Sequence, residues 1–109
     1  MKTRLVTTAL MGLALGACGP VQSTSHLVDA DVQLQAARTA RAEQYAPYEW
    51  TAANLYLHKA REEVGYSDYD AAVSFARKAT RFATEARQKA LAANRSAPAA
   101  EGLSPSSPR

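Results

Sequence analysis

The chain has 109 residues and a formal charge of +3, with one cysteine, two histidines and five glycines. Such a chain holds at most one small domain, and its 24 alanines predict a thin core, because a buried methyl group contributes only about 0.8 kcal/mol. The lone cysteine excludes an internal disulfide framework, the scattered His26 and His58 predict no metal cluster, and the few glycines form no phosphate-binding loop. We therefore expect neither a metal nor a cofactor.

The first 17 residues have the pattern of an export signal. A basic start precedes an apolar run over residues 5–15, which is too short for a bilayer-spanning helix because such a helix needs about 20 residues. The run ends in Leu15-Gly16-Ala17-Cys18, which resembles the signal of bacterial lipoproteins, where a leucine and two small residues precede an acylated cysteine. The resemblance implies cleavage between Ala17 and Cys18 and membrane lipid on Cys18.

Removal of the signal changes the charge of the chain. Loss of Lys2 and Arg4 leaves 11 basic against 10 acidic residues, so the formal charge falls to +1 and we expect no nucleic acid as a partner. Two or more acyl chains attach a protein stably to a membrane. Gly19 is not the aspartate that, by resemblance to enterobacterial lipoproteins, retains a lipoprotein in the inner membrane. The resemblance therefore implies an outer-membrane anchor in the bacterial cell envelope, facing the periplasm.

The mature chain predicts an all-α fold, either an antiparallel helical hairpin or a three-helix bundle. Residues 18–25 are small and polar, which predicts a lipidated flexible tether before a helical domain over 26–94. The hydroxyl residues at 23–25 predict the N-cap of a first helix that reaches about residue 45. Its apolar residues are split between faces, so we expect Val28, Val32 and Leu34 to need cover from a protein partner or from self-association.

Pro47 separates the first helix from the second. Proline disfavours helical geometry at Ala46 but suits the first turn of a helix, so we expect a break at 45–46 and a helix over about 47–64. Gly65 predicts a left-handed C-cap, and Ser67 with Asp70 predicts the capping box of a third helix. The second helix carries an apolar stripe with helical spacing, formed by Trp50, Ala53, Leu57, Ala60 and Val64.

The third helix, over about 68–94, carries a seam of alanines at heptad-like spacing. Alanine lets helix axes approach closely, so we expect the seam to pack on the stripe of the second helix. All eight aromatic residues lie between Tyr45 and Phe82, and we expect that cluster to form the core. The Pro/Ser-rich residues 95–109 predict a disordered tail. The seam comprises Ala72, Ala76, Ala79, Ala83, Ala86 and Ala90.

The candidate functional residues predict binding to a partner rather than catalysis. We find no nucleophile beside a base and expect no enzyme. For an adaptor, we expect the docking face for a protein partner to be either the first helix or the aromatic end of the hairpin near Tyr48 and Tyr66. Arg77, Lys78 and Arg81, opposite the seam, form a solvated helix face or a strip that contacts peptidoglycan or anionic lipid. The two function classes are an adaptor and a self-associating structural lipoprotein.

Two resemblances reach the helical part. Residues 65–72, followed by Ala76 and Ala79, are similar to the turn and second helix of a tetratricopeptide unit. The string Ala42-Glu43-Gln44-Tyr45-Ala46-Pro47-Tyr48-Glu49, followed by two alanine-rich helices, resembles an uncharacterised family of small bacterial envelope lipoproteins over residues 36–90. Some relatives carry a peptidoglycan-binding domain behind the hairpin, where this chain has its Pro/Ser tail, so the resemblance does not imply wall binding.

Overall fold

The computed structural model describes the chain from Cys18 to Glu101, and that part is all-α, as expected. Its helices are α1 (Cys18–Thr39), α2 (Ala42–Tyr45), α3 (Pro47–Gly65) and α4 (Tyr69–Glu101). At one end Gly19 of α1 lies against Tyr69 of α4, and at the other Asn94 of α4 bonds to Ala40, so α1 and α4 run parallel. The antiparallel α3 completes a bundle of three long helices.

The alanine seam of α4 is the centre of this bundle. All six seam alanines are fully buried, which confirms the predicted seam. α3 packs on the seam through Ala53 and Leu57 of its predicted stripe, and α1 through Ala30, Leu34 and Ala37. Leu34 was expected to lack cover, but α1 folds back onto the hairpin and leaves this leucine only 6% exposed.

The aromatic residues do not form the buried core, so that prediction is wrong. Tyr56, Phe75 and Phe82 are half-buried, while Tyr48 and Tyr66 are 72% and 74% exposed. Close contact between alanine faces leaves no volume for a ring at the centre of the bundle. The rings therefore lie at the edges of the helix interfaces, where one side of each can face water.

The first helix begins earlier than expected, so residues 18–25 are helical rather than an irregular tether. Pro20 lies in the first turn of α1, where a missing N–H costs no intrahelical hydrogen bond. The hydroxyls of Ser23 and Thr24 donate to the Pro20 carbonyl at 3.0 and 2.8 Å, and that of Ser25 donates to the Gln22 carbonyl at 2.9 Å. These hydroxyls bond backward within the helix, so the predicted N-cap is wrong.

The first helix also ends earlier, at Thr39, because Arg41 adopts the left-handed conformation with φ 63° and ψ 36°. The N–H of Arg41 donates to the Arg38 carbonyl at 2.9 Å, and Asn94 Nδ2 donates to the Ala40 carbonyl at 2.8 Å. The short helix α2 follows. The break at Ala46 and the start of α3 at Pro47 agree with the prediction from proline.

In the turn between α3 and α4, the left-handed residue is Ser67 and not Gly65, the residue that was predicted. Ser67 has φ 62°, whereas no glycine in the described part has positive φ. The N–H of Asp68 donates to the Glu63 carbonyl at 2.9 Å and that of Ser67 to the Val64 carbonyl at 3.0 Å, the paired bonds of a Schellman motif. Asp68 caps α4, since its Oδ1 accepts the N–H of Ala71 at 3.0 Å.

The last helix continues past Asn94 to Glu101, so residues 95–101 are helical instead of part of an irregular tail. Alanine is the best helix former, and it supplies three of these seven residues. The Ser96 hydroxyl donates to the Ala93 carbonyl at 2.8 Å, again within the helix. The rest of the predicted tail, 102–109, and the predicted signal, 1–17, lie outside the described residues.

Substitutions along α4 test the seam. Ala83→Leu should lower the free energy of unfolding by about 1–3 kcal/mol, because the closely packed helices have no room for three more carbons. Ser74→Leu, at an exposed position of the same helix, should change it by less than about 0.5 kcal/mol. Chemical denaturation followed by circular dichroism measures both, and equal effects would place the seam on another face.

Substitutions in the α3–α4 turn test the position of the left-handed residue. Gly65→Ala should raise stability by about 0.5–1 kcal/mol, because Gly65 is helical and an added Cβ meets nothing within 4 Å. Ser67→Gly should also stabilise the fold by about 0.5–1 kcal/mol, since glycine relieves the strain of positive φ. Gly19→Ala is the matched control. The Cβ of the new alanine would lie 3.2 Å from the Tyr69 ring, so we expect no increase in the free energy of unfolding. Loss of stability in Gly65→Ala would contradict the assigned turn.

Candidate functional site

A groove runs along the outer edge of the α3–α4 interface, and we call it the aromatic groove. It is open to solvent, has a volume of about 480 Å³, and is lined only by residues of α3 and α4. The antiparallel packing of two alanine faces sets the larger side chains at this edge. The lining residues are Tyr48, Thr51, Ala52, Leu55, Tyr56, Lys59, Phe75 and Phe82.

Three ring contacts order the wall of the aromatic groove. The Tyr56 ring stacks on Phe75 with a centroid distance of 6.2 Å and on Phe82 with a distance of 5.5 Å. The ring of Tyr48 meets Phe82 edge to face, at 6.3 Å and an interplanar angle of 79°. Offset stacked and edge-to-face pairs are the favoured arrangements of aromatic rings, so the four rings hold one another in place across two helices.

Cationic side chains lie over these rings. Lys78 Nζ is 5.5 Å from the centre of the Tyr56 ring and 5.4 Å from that of Phe75. The guanidinium carbon of Arg81 is 4.9 Å from the centre of the Phe82 ring, and Arg81 Nε lies 3.9 Å from Glu85. Such cation–π contacts orient the charged groups. The outer wall of the groove is therefore positively charged.

The charges along the groove differ in how they are balanced. Lys59 is paired with Glu63 at 3.2 Å and with Glu62 at 3.3 Å, and the hydrogen bonds with Glu63 and then Glu62 raise the pKa of Lys59 above its ordinary value. Within the part of the chain that the structure describes, Lys78 has no carboxylate within 4 Å. Lys78 is thus the groove cation whose charge is still available to a ligand.

The structure brings three of the five predicted interaction residues together. Tyr48 lines the aromatic groove, and Lys78 and Arg81 lie over its rings. Tyr66 is in the α3–α4 turn, away from the groove, and Arg77 is exposed on α4 one helical turn from Arg81. The predicted aromatic face and basic strip are therefore parts of one surface, with one member of each lying elsewhere.

Most of the aromatic groove was not predicted, because the aromatic residues were expected in the core. A signal for it was present in α3. Tyr48, Ala52, Leu55 and Lys59 recur at steps of four, three and four residues, beside the stripe that faces the seam. A second apolar face on one helix of a small hairpin predicts a surface that the hairpin itself leaves uncovered.

An ion pair between a buried carboxylate and an exposed lysine supports the end of the groove at Tyr48. Glu49, in the first turn of α3, is only 7% exposed and forms a hydrogen-bonded ion pair with Lys89 of α4. The hydrogen bond from Lys89 holds the pKa of Glu49 below its ordinary value of 4.5, despite the opposing effect of burial. The same bond raises the pKa of Lys89. The pair thus fixes the first turn of α3 on α4.

Among residues 19–97, whose side chains the structure describes, no group of three or more His, Cys, Asp and Glu side chains is placed to hold a metal ion. Every buried side-chain nitrogen or oxygen in this range has a hydrogen-bond partner. None of the four helices has both the length and the apolar character that crossing a bilayer requires.

The fold and the groove define a small all-α protein with an alanine core and an exposed aromatic surface. The family model described as Domain of unknown function (DUF4398) matches residues 25–101, and the chain belongs to that family. The matched range includes α2, α3, α4 and most of α1, and it agrees with the uncharacterised family expected from the sequence. Searches of curated proteins and of solved structures find no match.

The ion pair of Glu49 predicts a pH-dependent stability. Lys89→Met should lower the melting temperature at pH 7, because it leaves the buried Glu49 carboxylate without its partner. When the pKa of a carboxyl group is lower in the folded state than in the unfolded state, its ionised form stabilises the fold at pH values above the unfolded-state pKa. This stabilisation is lost as the pH falls through the folded-state pKa. The difference in melting temperature between the wild-type protein and Lys89→Met should therefore shrink below about pH 4.5, the ordinary pKa of glutamate.

Thermal melts at several pH values measure this effect. The control is Lys59→Met, which removes two ion pairs of a half-exposed lysine within one helix and should change the melting temperature little. If Lys89→Met lowers the melting temperature equally at pH 7 and pH 3, a stabilising role for the ionised Glu49 is contradicted.

Proposed function

We propose that the mature protein is a non-enzymatic adaptor of the bacterial cell envelope. An acylated Cys18 anchors it in the outer membrane on the periplasmic side, and the aromatic groove binds a partner protein. The anchor is supported by the string Leu15-Gly16-Ala17-Cys18 at the end of a short apolar run. The adaptor role is supported by the groove, which is the observation that carries this proposal.

The partner that fits the aromatic groove is an amphipathic helix. Contiguous exposed apolar surface on a small protein commonly marks an interaction site, and Tyr48 and Leu55 are 72% and 64% exposed there. The groove lies between two antiparallel helices, where a further helix can pack its side chains between theirs. A partner helix in this position would complete a four-helix arrangement with the hairpin in the middle.

The charge of the groove adds a requirement for the partner. Lys78 carries a charge that no carboxylate in the described residues balances, whereas Lys59 is already paired. A helix with a carboxylate beside its apolar face would place that group over Lys78. Burial of the rings would contribute most of the affinity, and the carboxylate would select the register of the helix.

The alternative function is that of a self-associating structural lipoprotein, and a surface on α1 favours it. Val21, Val28 and Val32 are 68%, 54% and 57% exposed, so α1 has an outer apolar stripe of its own. In that function Arg77, Lys78 and Arg81 contact peptidoglycan or anionic lipid as a basic strip. The sequence resemblance of residues 65–72 to part of a tetratricopeptide unit fits an adaptor better than it fits this role.

The anchor is tested by mass spectrometry of membrane fractions from cells that express the whole chain. The expected product begins at Cys18 and carries acyl chains on it, and Cys18→Ser should release the protein from the membrane. An unmodified Cys18, or a wild-type product in the soluble fraction, would overturn the anchor.

The groove is tested by photocrosslinking in cells, with the crosslinker at Leu55 and, as a control of similar exposure, at Val32. We expect an adduct at Leu55 with an amphipathic, acidic helical segment of another envelope protein, identified by peptide mass spectrometry. An adduct at Val32 with a second copy of this chain, and none at Leu55, would favour self-association instead.

Two charge reversals separate the groove from the basic strip. Lys78→Glu should reduce the Leu55 adduct severalfold, whereas Arg77→Glu should leave it unchanged, because Arg77 is exposed outside the groove. When the crosslinking is repeated on isolated membranes, the adduct should also persist at high salt, since burial of apolar surface is not screened by ions. If both variants lose the Leu55 adduct equally, and if the adduct decreases as the salt concentration rises, the result would support a contact made by the basic strip.

A further inference from the structure

The α3–α4 turn lies at the same end of the bundle as Cys18. Gly19, the second residue of α1, packs against the Tyr69 ring so closely that a Cβ on it would be 3.2 Å from Tyr69 Cδ2. Gly19 and the turn residues Tyr66 to Asp70 line one shallow cleft. Because α1 is helical from Cys18 onward, no irregular segment separates Cys18 from this cleft.

We propose that the α3–α4 turn faces the surface of the membrane that holds the lipid anchor, and that the Tyr66 ring inserts among its headgroups. The partner of this surface is a phospholipid bilayer, and the contact holds the bundle upright on it. The inference rests on the proposed acylation of Cys18, and it adds a second membrane contact made by the protein itself.

The distance between the anchor and the turn carries this inference. Consecutive Cα atoms are about 3.8 Å apart, so a lipid on Cys18 places Gly19 at the level of the headgroups. The contact of Gly19 with Tyr69 brings the turn to the same level. Tyr66 is 74% exposed in that turn, and tyrosine is enriched at membrane–water interfaces because its ring is apolar and its hydroxyl is polar.

The charges of the turn indicate which lipids it contacts. Asp68 and Asp70 are exposed, and Asp68 is occupied in capping α4. Carboxylates are repelled by anionic headgroups, so the contact should be made by the ring and should favour zwitterionic phospholipid. This behaviour is opposite to that of a basic strip that binds anionic lipid.

Tyr48 provides a matched control at the other end of α3. Its exposed fraction, 72%, is nearly that of Tyr66, and 18 residues of helix at 1.5 Å each separate the two by about 27 Å. An upright bundle would keep Tyr48 in water, whereas a bundle lying flat would place both tyrosines near lipid.

The test uses the whole acylated protein in vesicles of zwitterionic phospholipid with brominated acyl chains. Tyr66→Trp and Tyr48→Trp are each made in a Trp50→Phe background, and circular dichroism checks that both are folded. We expect the tryptophan at 66 to be quenched severalfold more strongly than that at 48. Nitroxide labels on Tyr66→Cys and Tyr48→Cys, with Trp50 retained, give a second measure of depth.

Each outcome of this test supports or overturns the orientation. Equal quenching at the two positions, weak quenching at 66, or quenching that requires anionic lipid would overturn it. Mass spectrometry of the same sample separates these failures from failure of the anchor. If Cys18 is acylated and the tryptophan at 66 is unquenched, only the orientation is wrong, whereas an unmodified Cys18 overturns the anchor and the orientation together.

Discussion

Close approach of three helices at an alanine face is the constraint on which the rest of the structure depends. The six seam alanines of α4 are completely buried, and α1 and α3 pack on them through further alanines and two leucines. Each methyl group contributes little hydrophobic free energy, so many contacts at short range must supply the stability. This packing tolerates no larger side chain at the seam positions, and the aromatic rings must lie outside it.

The aromatic groove is a consequence of that packing. Tyr56, Phe75 and Phe82 would fill the core of a bundle with wider spacing between its axes, but here they can only stack at the edge. Their outer faces remain in contact with water and with Lys78 and Arg81. A thin core and a large exposed aromatic surface are therefore linked in this fold, because the volume that the core cannot hold becomes surface that a ligand can cover.

Features set by periodicity could be predicted, and those set by local geometry or volume could not. The seam, the stripe of α3 and the break at Pro47 follow from spacing and from the chemistry of proline. The left-handed residues Arg41 and Ser67 carry no such signal, because the typical glycine or asparagine is absent and Gly65 lies two residues too early. Three of the five candidate interaction residues meet at one surface, but whether a ring is buried depends on helix spacing, which residue types alone do not specify.

The helical start of α1 links the proposed anchor to the groove. A flexible tether would let the bundle rotate freely above a membrane, whereas a helix that begins at Cys18 and packs along α4 transmits the position of the anchor to the bundle. α4 rises about 1.5 Å per residue, so Phe82 would lie about 20 Å above Tyr69 in an upright bundle. The long axis of the groove would then point away from the membrane. A partner helix would have to stand nearly parallel to α3, and so would come more readily from a periplasmic domain than from a segment lying on the bilayer.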